Sequence, residues 1–196
     1  MWFNYGQRAV EREQRAVEAL TQHYGVALTT LKLGWLAKLL PVGLAPSHQA
    51  GSVSNQQAGG LPTQAVWVPN RNGVLLNIAA SLAEAHGGDA VWFGANLDEA
   101  NAGFPDNSEA FRQRITESLA YSTLTQVKVE APLAQLTKAD TVALAHQLGL
   151  PFAHVWSCYE ADELPCGLCA SCQLLKGALT ANQLTPQDVG LAFKGG

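Results

Sequence analysis

Apolar residues recur at helical spacing over residues 8–24, where Val10, Val17, Leu20 and Tyr24 fall close to one face and Glu11, Arg12, Gln14, Arg15 and Glu18 mostly elsewhere. That pattern predicts an amphipathic helix, and Gly25 is placed to stop it. Ahead of it, Trp2-Phe3-Asn4-Tyr5 reads as the tail of a strand that begins before Met1. Residues 28–33 alternate apolar and polar and predict a second strand. Residues 35–40 predict a short helix ended by Pro41. Val66-Trp67-Val68-Pro69 is extended, and Asn70 caps a predicted helix to about residue 86, with Leu75, Leu76, Ala79, Leu82 and Ala83 inward. Gly87-Gly88 ends it, and residues 89–94 form a nearly all-apolar run, the mark of a strand covered on both faces. Residues 96–107 read as a loop. Ser108 opens a helix to about 122, and residues 126–131 predict another strand. Thr137-Lys138-Ala139-Asp140 has the Thr-x-x-acid pattern of a capped start, for a helix that ends at Gly149 before Pro151. A last helix is predicted over 171–181, and the tail after Thr185 is short.

Strands alternate with helices, which predicts an α/β fold with a parallel sheet and helices on both faces. At 196 residues the chain is expected to form a single domain, with residues 154–182 as a distinct subregion. Between 41 and 62 the periodicity dissolves into Ser, Gln, Gly, Ala and Pro, which predicts a mobile loop. Ligands of parallel sheets sit at the carboxyl ends of the strands. The segments that matter are therefore residues 4–8, residues 94–96 and residues 131–138.

Composition narrows the class of partner. No apolar run is long enough to cross a bilayer, and no basic segment precedes an apolar one as in a secretion signal. A formal charge of -4 gives no broad field for nucleic acid, although a few local cations can still hold a small anion. With no secretion signal and every cysteine in one cluster, a reducing cytoplasm is the expected compartment.

That cluster carries the strongest chemical signal. Cys158, Cys166, Cys169 and Cys172 are spaced C-x7-C-x2-C-x2-C. Each C-x2-C turn delivers two sulfurs to one ion, and Gly167 permits the positive φ such a turn needs. Disulfides fit poorly, because cysteines three apart in a tight turn rarely reach bonding geometry. The spacing predicts one zinc, closed by four protein ligands and therefore structural.

Three strand ends carry groups suited to anions. Tyr5-Gly6-Gln7-Arg8 offers an aromatic ring, a flexible glycine and a cation; Asn70-Arg71-Asn72 offers a cation between two amides; Thr137-Lys138 puts an ammonium in the first turn of a helix. A lysine there opposes the helix dipole, so it is either solvated or faces a bound anion. Arg71 is open to an ion pair as well as to a ligand. Asp98, Glu99 and Asp106 suit Mg²⁺ or solvent equally. The five histidines show no ligand or catalytic spacing.

Taken in order, these stretches resemble the 7-cyano-7-deazaguanine synthase family of the queuosine pathway. Phe3-Asn4-Tyr5-Gly6-Gln7-Arg8 is similar to its F-D-Y-G-Q-R, and Val68-Pro69-Asn70-Arg71-Asn72 to its V-P-x-R-N. Gly94-Ala95-Asn96 with Gly103-Phe104-Pro105-Asp106 is similar to its G-x-N and G-Y-P-D. Residues 130–139 and the cysteines complete the match. The resemblance implies a Rossmann-like fold of the adenine nucleotide alpha-hydrolase type with a C-terminal zinc knuckle. It implies an ATP-dependent C–N ligase of the pyrophosphatase-loop class, which converts 7-carboxy-7-deazaguanine and ammonia to the nitrile. By the same resemblance Tyr5, Gly6, Gln7, Arg8 and Gly94 line the nucleotide site, Arg71 and Asn72 face nucleotide or substrate, Pro105 and Asp106 approach the deazaguanine, Lys138 meets phosphate, and Mg²⁺ accompanies ATP, with Lys138, Arg71 and Asp106 as the implied catalytic residues. A homodimer is implied, with no direct nucleic-acid contact. Two rival expectations are a tRNA-thiolating relative, which the lack of a spare cysteine disfavours, and a non-catalytic zinc-binding relative.

Three departures accompany the resemblance. Met1 falls inside the family's second strand, and no S-G-G-x-D-S phosphate loop occurs in the chain. Asn4 stands where the family has Asp, and Asn107-Ser108 where it has Cys-Arg. The expectation is an N-terminally truncated domain that binds ATP weakly and does not turn over by itself.

Overall fold

The structure is a computed structural model that describes residues 1–39 and 67–194. The predicted mobile loop at 41–62 lies outside the described residues, as do Leu40 and Val66 at the ends of their predicted segments. Contacts cluster in two compact units, Met1–Val68 with Ala139–Gly196, and Pro69–Lys138.

In the first unit β1 (Trp2–Asn4) and β2 (Thr30–Lys32) pair in parallel, Phe3 opposite Leu31. Between them α1 (Val10–Tyr24) starts two residues later than the periodicity predicts, because residues 8–9 belong to a turn in which the Val10 N–H bonds the Gln7 carbonyl at 3.2 Å. Gly25 ends α1 in the left-handed region at φ 64°, and the Val26 N–H reaches back to the Thr21 carbonyl. This is the predicted glycine stop, made by a conformation that costs other L-residues roughly 1–2 kcal/mol. Tyr24 departs from the expectation of an inward face: it is 51% exposed and meets His23 edge-on. No α1 residue is fully buried, so its apolar stripe is only half covered within this unit. α2 (Gly34–Leu39) follows β2 directly.

The core of this unit lies further along the chain. In α7 (Ala170–Ala181) the residues Cys172, Leu175, Ala178 and Leu179 form one buried face, the stripe a 3.6-residue period gives. Phe152 and Val142 pack against it, the latter from α6 (Lys138–Gln147). The short tail adds more than its length implies. Leu191 and Phe193 are both 7% exposed in the same core, and the Lys194 N–H closes on the Pro165 carbonyl at 2.9 Å.

In the second unit β3 (Ala90–Trp92) and β4 (Lys128–Glu130) pair in parallel, Val91 opposite Val129. The helices α3 (Arg71–Ala85) and α5 (Glu109–Ser122) cover them through Leu76, Ala80, Ile115 and Leu119. The predicted inward residues of α3 are only partly right. Leu76 and Ala79 are buried, Leu75, Leu82 and Ala83 are half-buried, and Gly73 and Ala80 complete the inner face. The expectation that residues 89–94 are covered on both faces fails at Trp92, which is 73% exposed. Val91 and Phe93 point to the helices, and alternation along a strand turns Trp92 to the opposite face.

The segment read as a loop at 96–107 contains a short helix, α4 (Leu97–Asn101), and a 3₁₀ turn, Pro105–Asn107. Asn96 caps α4 by accepting the Glu99 N–H at 3.1 Å. Ser108 caps α5 as predicted, accepting the Phe111 N–H at 3.1 Å. The alternation of parallel strands with helices thus holds, in an α/β fold whose described ladders are β1–β2 and β3–β4. Among the described residues no helix is long and apolar enough to cross a membrane.

Candidate functional site

The four cysteines converge where the irregular stretch over residues 155–169 leads into α7. Gly167 sits at φ 73° inside the first C-x2-C turn, as the spacing predicts, and Cys169 forms the N-terminal boundary of the helix. All four sulfurs lie within 4.8 Å of one another, and Cys166 Sγ is 4.0 Å from Cys172 Sγ. Tetrahedral zinc at its usual sulfur distance sets neighbouring thiolates about 3.8 Å apart. Backbone donors surround the cluster: Cys158 Sγ accepts from the N–H groups of Glu160 (3.4 Å) and Cys166 (3.3 Å), and Cys166 Sγ from those of Leu168 (3.5 Å) and Cys169 (3.3 Å). Such donors favour sulfur as thiolate. The cysteines are unpaired by disulfide, and the donor set fits a metal ion.

The thiols do not ionise alike. The hydrogen bond from Cys172 pulls Cys169 well below the ordinary thiol range. Giving that bond pushes Cys172 up, and burial pushes Cys158 up. Without an ion the crowded sulfurs cannot all carry charge. A divalent cation reverses that logic and displaces the remaining protons, so metal binding releases protons and weakens in acid.

The turn at residues 5–8 is built on Gln7, which is only 3% exposed. Its side-chain Oε1 accepts the Tyr5 N–H at 3.0 Å, and its side-chain Nε2 donates to the Phe3 carbonyl (3.1 Å) and to Glu13 Oε2 (2.8 Å). Gly6 takes φ 89°, which only glycine adopts freely, and its N–H bonds Asn4 Oδ1 at 3.2 Å. Gln7 is thus spent within the chain: it holds the turn that presents Gly6 and Arg8. Tyr5 is 8% exposed. Arg8 extends to Glu160 Oε1, 3.4 Å from Nη1.

In the second unit Arg71, Asn72 and Asp106 come together. Asp106, 5% exposed, accepts the Asn72 N–H at 3.2 Å, and its carbonyl accepts the Asn72 side-chain amide at 3.2 Å. Asn107 joins by donating to Asp106 Oδ1 at 3.4 Å. Arg71 Nε donates to Asn72 Oδ1 at 3.2 Å. Burial raises the Asp106 carboxyl above its ordinary range, against the opposing pull of the Asn72 N–H and of the Arg71 charge. Asp106 therefore caps α3, a role expected of Asn70. That residue is instead left-handed at φ 52° and makes no side-chain capping bond. Its side chain folds over Gly73 and leaves no space there for a Cβ.

Lys138 opens α6, as predicted, but its backbone N–H is taken by Asp98 Oδ2 at 2.6 Å. The Leu97 N–H bonds the Leu136 carbonyl at 3.0 Å, which fastens the start of α4 beside that helix start. Gly94 is exposed with open space around it, whereas the adjacent Ala95 and Asn96 are buried. The sequence marks Asn107 only as a departure from the family and Asp98 only as a metal or solvent carboxylate, so the bond of Asn107 to Asp106 and the use of Asp98 as a cap come from the structure. The Asn96-Leu97-Asp98-Glu99 run, a capping residue before acids, was the available signal for α4.

A family model described as queuosine biosynthesis protein QueC matches residues 1–183. The 7-cyano-7-deazaguanine synthase of Methanosarcina mazei is 40% identical over 179 residues, covering 87% of this chain and 77% of that protein. The synthase of Bdellovibrio bacteriovorus is 40% identical over 198 residues, covering 98% and 84%. That of Desulforudis audaxviator is 41% identical over 180 residues, covering 89% and 81%. The matched span contains the residue 5–8 turn, the Asp106 cluster, Lys138 and all four cysteines. With the family model matching nearly the whole chain and similarity at this level running through it, the chain belongs to the queuosine biosynthesis protein QueC family.

Proposed function

We propose that the protein is a 7-cyano-7-deazaguanine synthase, an ATP-dependent ligase that converts 7-carboxy-7-deazaguanine and ammonia to the nitrile. One observation carries this: about 40% identity to proteins of that name along nearly the whole chain. Ammonia does not attack a carboxylate at useful rates. ATP supplies a leaving group on the carboxylate oxygen, and again for dehydration of the amide, so the protein's work is positioning and charge neutralisation.

In this reading Tyr5, Gly6 and Arg8 face the nucleotide, and Gln7 shapes the turn that presents them. Gly94 leaves open space beside the nucleotide, Lys138 meets phosphate, and Mg²⁺ accompanies ATP. Arg71 and Asn72 approach substrate or nucleotide, held by Asp106. The hydrogen bonds within the Arg71–Asn72–Asp106 cluster support that arrangement. Cys158, Cys166, Cys169 and Cys172 hold one structural zinc, which the fit of four sulfurs and four backbone donors supports. A single domain, a homodimer, a cytoplasmic location and the absence of direct nucleic-acid contact belong to the same proposal.

The 196 residues contain no S-G-G-x-D-S run. On this reading residues 1–196 alone bind ATP weakly, because side-chain cations do not replace a cradle of backbone donors; several charge-assisted bonds at about 1.5–3 kcal/mol each are involved. Mass spectrometry of reactions with 7-carboxy-7-deazaguanine, ATP-Mg²⁺ and ammonia tests both statements. The chain 1–196 is compared with the same chain extended by any in-frame codons before Met1. Nitrile from the longer protein supports the function, and neither amide nor nitrile from either defeats it. Product from 1–196 itself shows a phosphate site built from other residues.

A further inference from the structure

Two side chains flanking Cys158 reach the same short stretch of chain. Trp156 donates its indole N–H to the Cys158 carbonyl at 3.0 Å, and its ring carries the Arg12 guanidinium 5.5 Å from the centroid. Glu160 donates its backbone N–H to Cys158 Sγ at 3.4 Å, and its carboxylate pairs with Arg8 at 3.4 Å. Arg8 and Arg12 are four residues apart at the entry to α1, and Trp156 and Glu160 are four apart around a cysteine that is 2% exposed. None of the four is a ligand of the cysteine cluster, which is complete without them.

We propose that Trp156 and Glu160 are positioning residues that tie the Tyr5–Arg8 turn to the metal state of the four-cysteine cluster. The inference rests on the nucleotide-binding role proposed for that turn. Its ligand class is the phosphate group of a nucleotide, met by Arg8. The internal bonds from Gln7 and Asn4 fix the backbone of the turn, whereas Glu160 sets the direction in which Arg8 leaves it. Residues 155–169 contain no helix or strand. Their path is therefore set by what holds Cys158, Cys166 and Cys169, and a bound ion holds them far more firmly than thiol contacts do. When the ion leaves, Cys158 and both of its flanking side chains lose their anchor. Arg8 and Arg12 are released together, although neither touches the metal.

Hydrogen exchange of amides 5–12 tests this, with zinc content measured on each sample and α7 as the monitor of folding in the zinc-loaded ones. In the zinc-loaded parent these amides are protected, and chelation speeds their exchange about tenfold. The Trp156→Leu/Glu160→Gln variant retains one zinc and a protected α7. Its residues 5–12 nevertheless exchange about three- to tenfold faster with zinc bound, as loss of one ion pair and one cation–π contact gives. Trp156→Phe keeps a ring under Arg12 and restores part of the protection. If the double variant loses zinc, the single Glu160→Gln change decides, since it leaves the ring and the core intact. Unchanged exchange at 5–12 in a zinc-loaded variant overturns the proposal. The measurement needs neither ATP nor turnover, so a zinc-loaded parent that fails to bind nucleotide defeats the functional reading and leaves the coupling standing. In a protein that turns over, Glu160→Gln raises KM for ATP several-fold with kcat within a factor of two. A lowered kcat at unchanged KM counts against positioning.

Discussion

Asp106 concentrates the conflict between stability and use in a single side chain. It is 5% exposed, its carboxyl is raised by burial, and it spends its oxygens on the Asn72 N–H and the Asn107 amide. A carboxyl whose folded value lies above its unfolded one favours folding while protonated. That contribution is whole below the ordinary value of 3.8, falls as pH rises through the raised value, and stays lost at neutral pH. Asp106→Asn keeps an oxygen for the Asn72 N–H and removes the buried charge. The expected outcome is a variant whose stability relative to the parent improves as pH rises from about 3 to about 7 by urea unfolding, while the same change made in a protein that turns over abolishes its synthase activity. A stability difference that is flat with pH shows that Asp106 titrates normally. Gln7 teaches the opposite lesson at the same scale. Its place in a sequence motif points to a ligand, yet its buried amide bonds backbone and Glu13.

Among the elements, β4 shows how a three-residue strand keeps an edge closed. One side pairs with β3, through the Lys128 N–H to the Asp89 carbonyl and the Glu130 carbonyl to the Phe93 N–H. On the other side Val129 presents an N–H and a carbonyl that none of the described strands takes up. Thr116 Oγ1 accepts that N–H at 3.1 Å, and Arg112 donates to that carbonyl at 2.9 Å while Glu109 grips its guanidinium through two nitrogens. Side chains of α5 thus satisfy a buried strand edge that would otherwise be costly and adhesive. Thr116→Val conserves shape and leaves the Val129 N–H without a partner. It should cost about 1–3 kcal/mol in denaturant unfolding, with Thr116→Ser recovering most of it. Equal stability of the Val variant would mean that water serves this edge as well as Thr116 does.

Across the whole molecule, the four clustered cysteines and the two apolar cores are unevenly distributed. Cys158 and Cys172 are themselves members of the core built on α7, whereas the core of Leu76, Ile115, Leu119 and Val129 contains no cysteine. Chelation should therefore strip exchange protection from α7 and from Phe152–His154 while α3 and α5 keep theirs. Cys169→Ser should reproduce the pattern without chelator. Structural zinc contributes on the order of 10 kcal/mol in small domains, enough to decide whether such a core exists. Uniform loss of protection in both units would show one cooperative body, and no loss in either would show that thiol packing suffices without the ion.

Features whose determinants lie close together in the chain were legible from residues alone. The convergence of the four cysteines followed from spacing and one glycine, Gly25 stopped its helix, and Ser108 capped its own third-residue amide. Parallel strands followed from alternation with helices. What tertiary structure decided were partnerships between distant residues and the faces left open. Asp106 takes the capping role of Asn70 from 34 positions beyond Asn72, and Asp98 caps a helix that starts 40 residues later. No local pattern encodes these pairs, because a backbone donor accepts whichever carboxylate the fold brings to it. Trp92 reads as buried because apolar runs normally are, and only the placement of α3 and α5 shows that one face of β3 is covered. Arg8 meets Glu160 across 152 positions, which joins two motifs that the sequence shows only as separate.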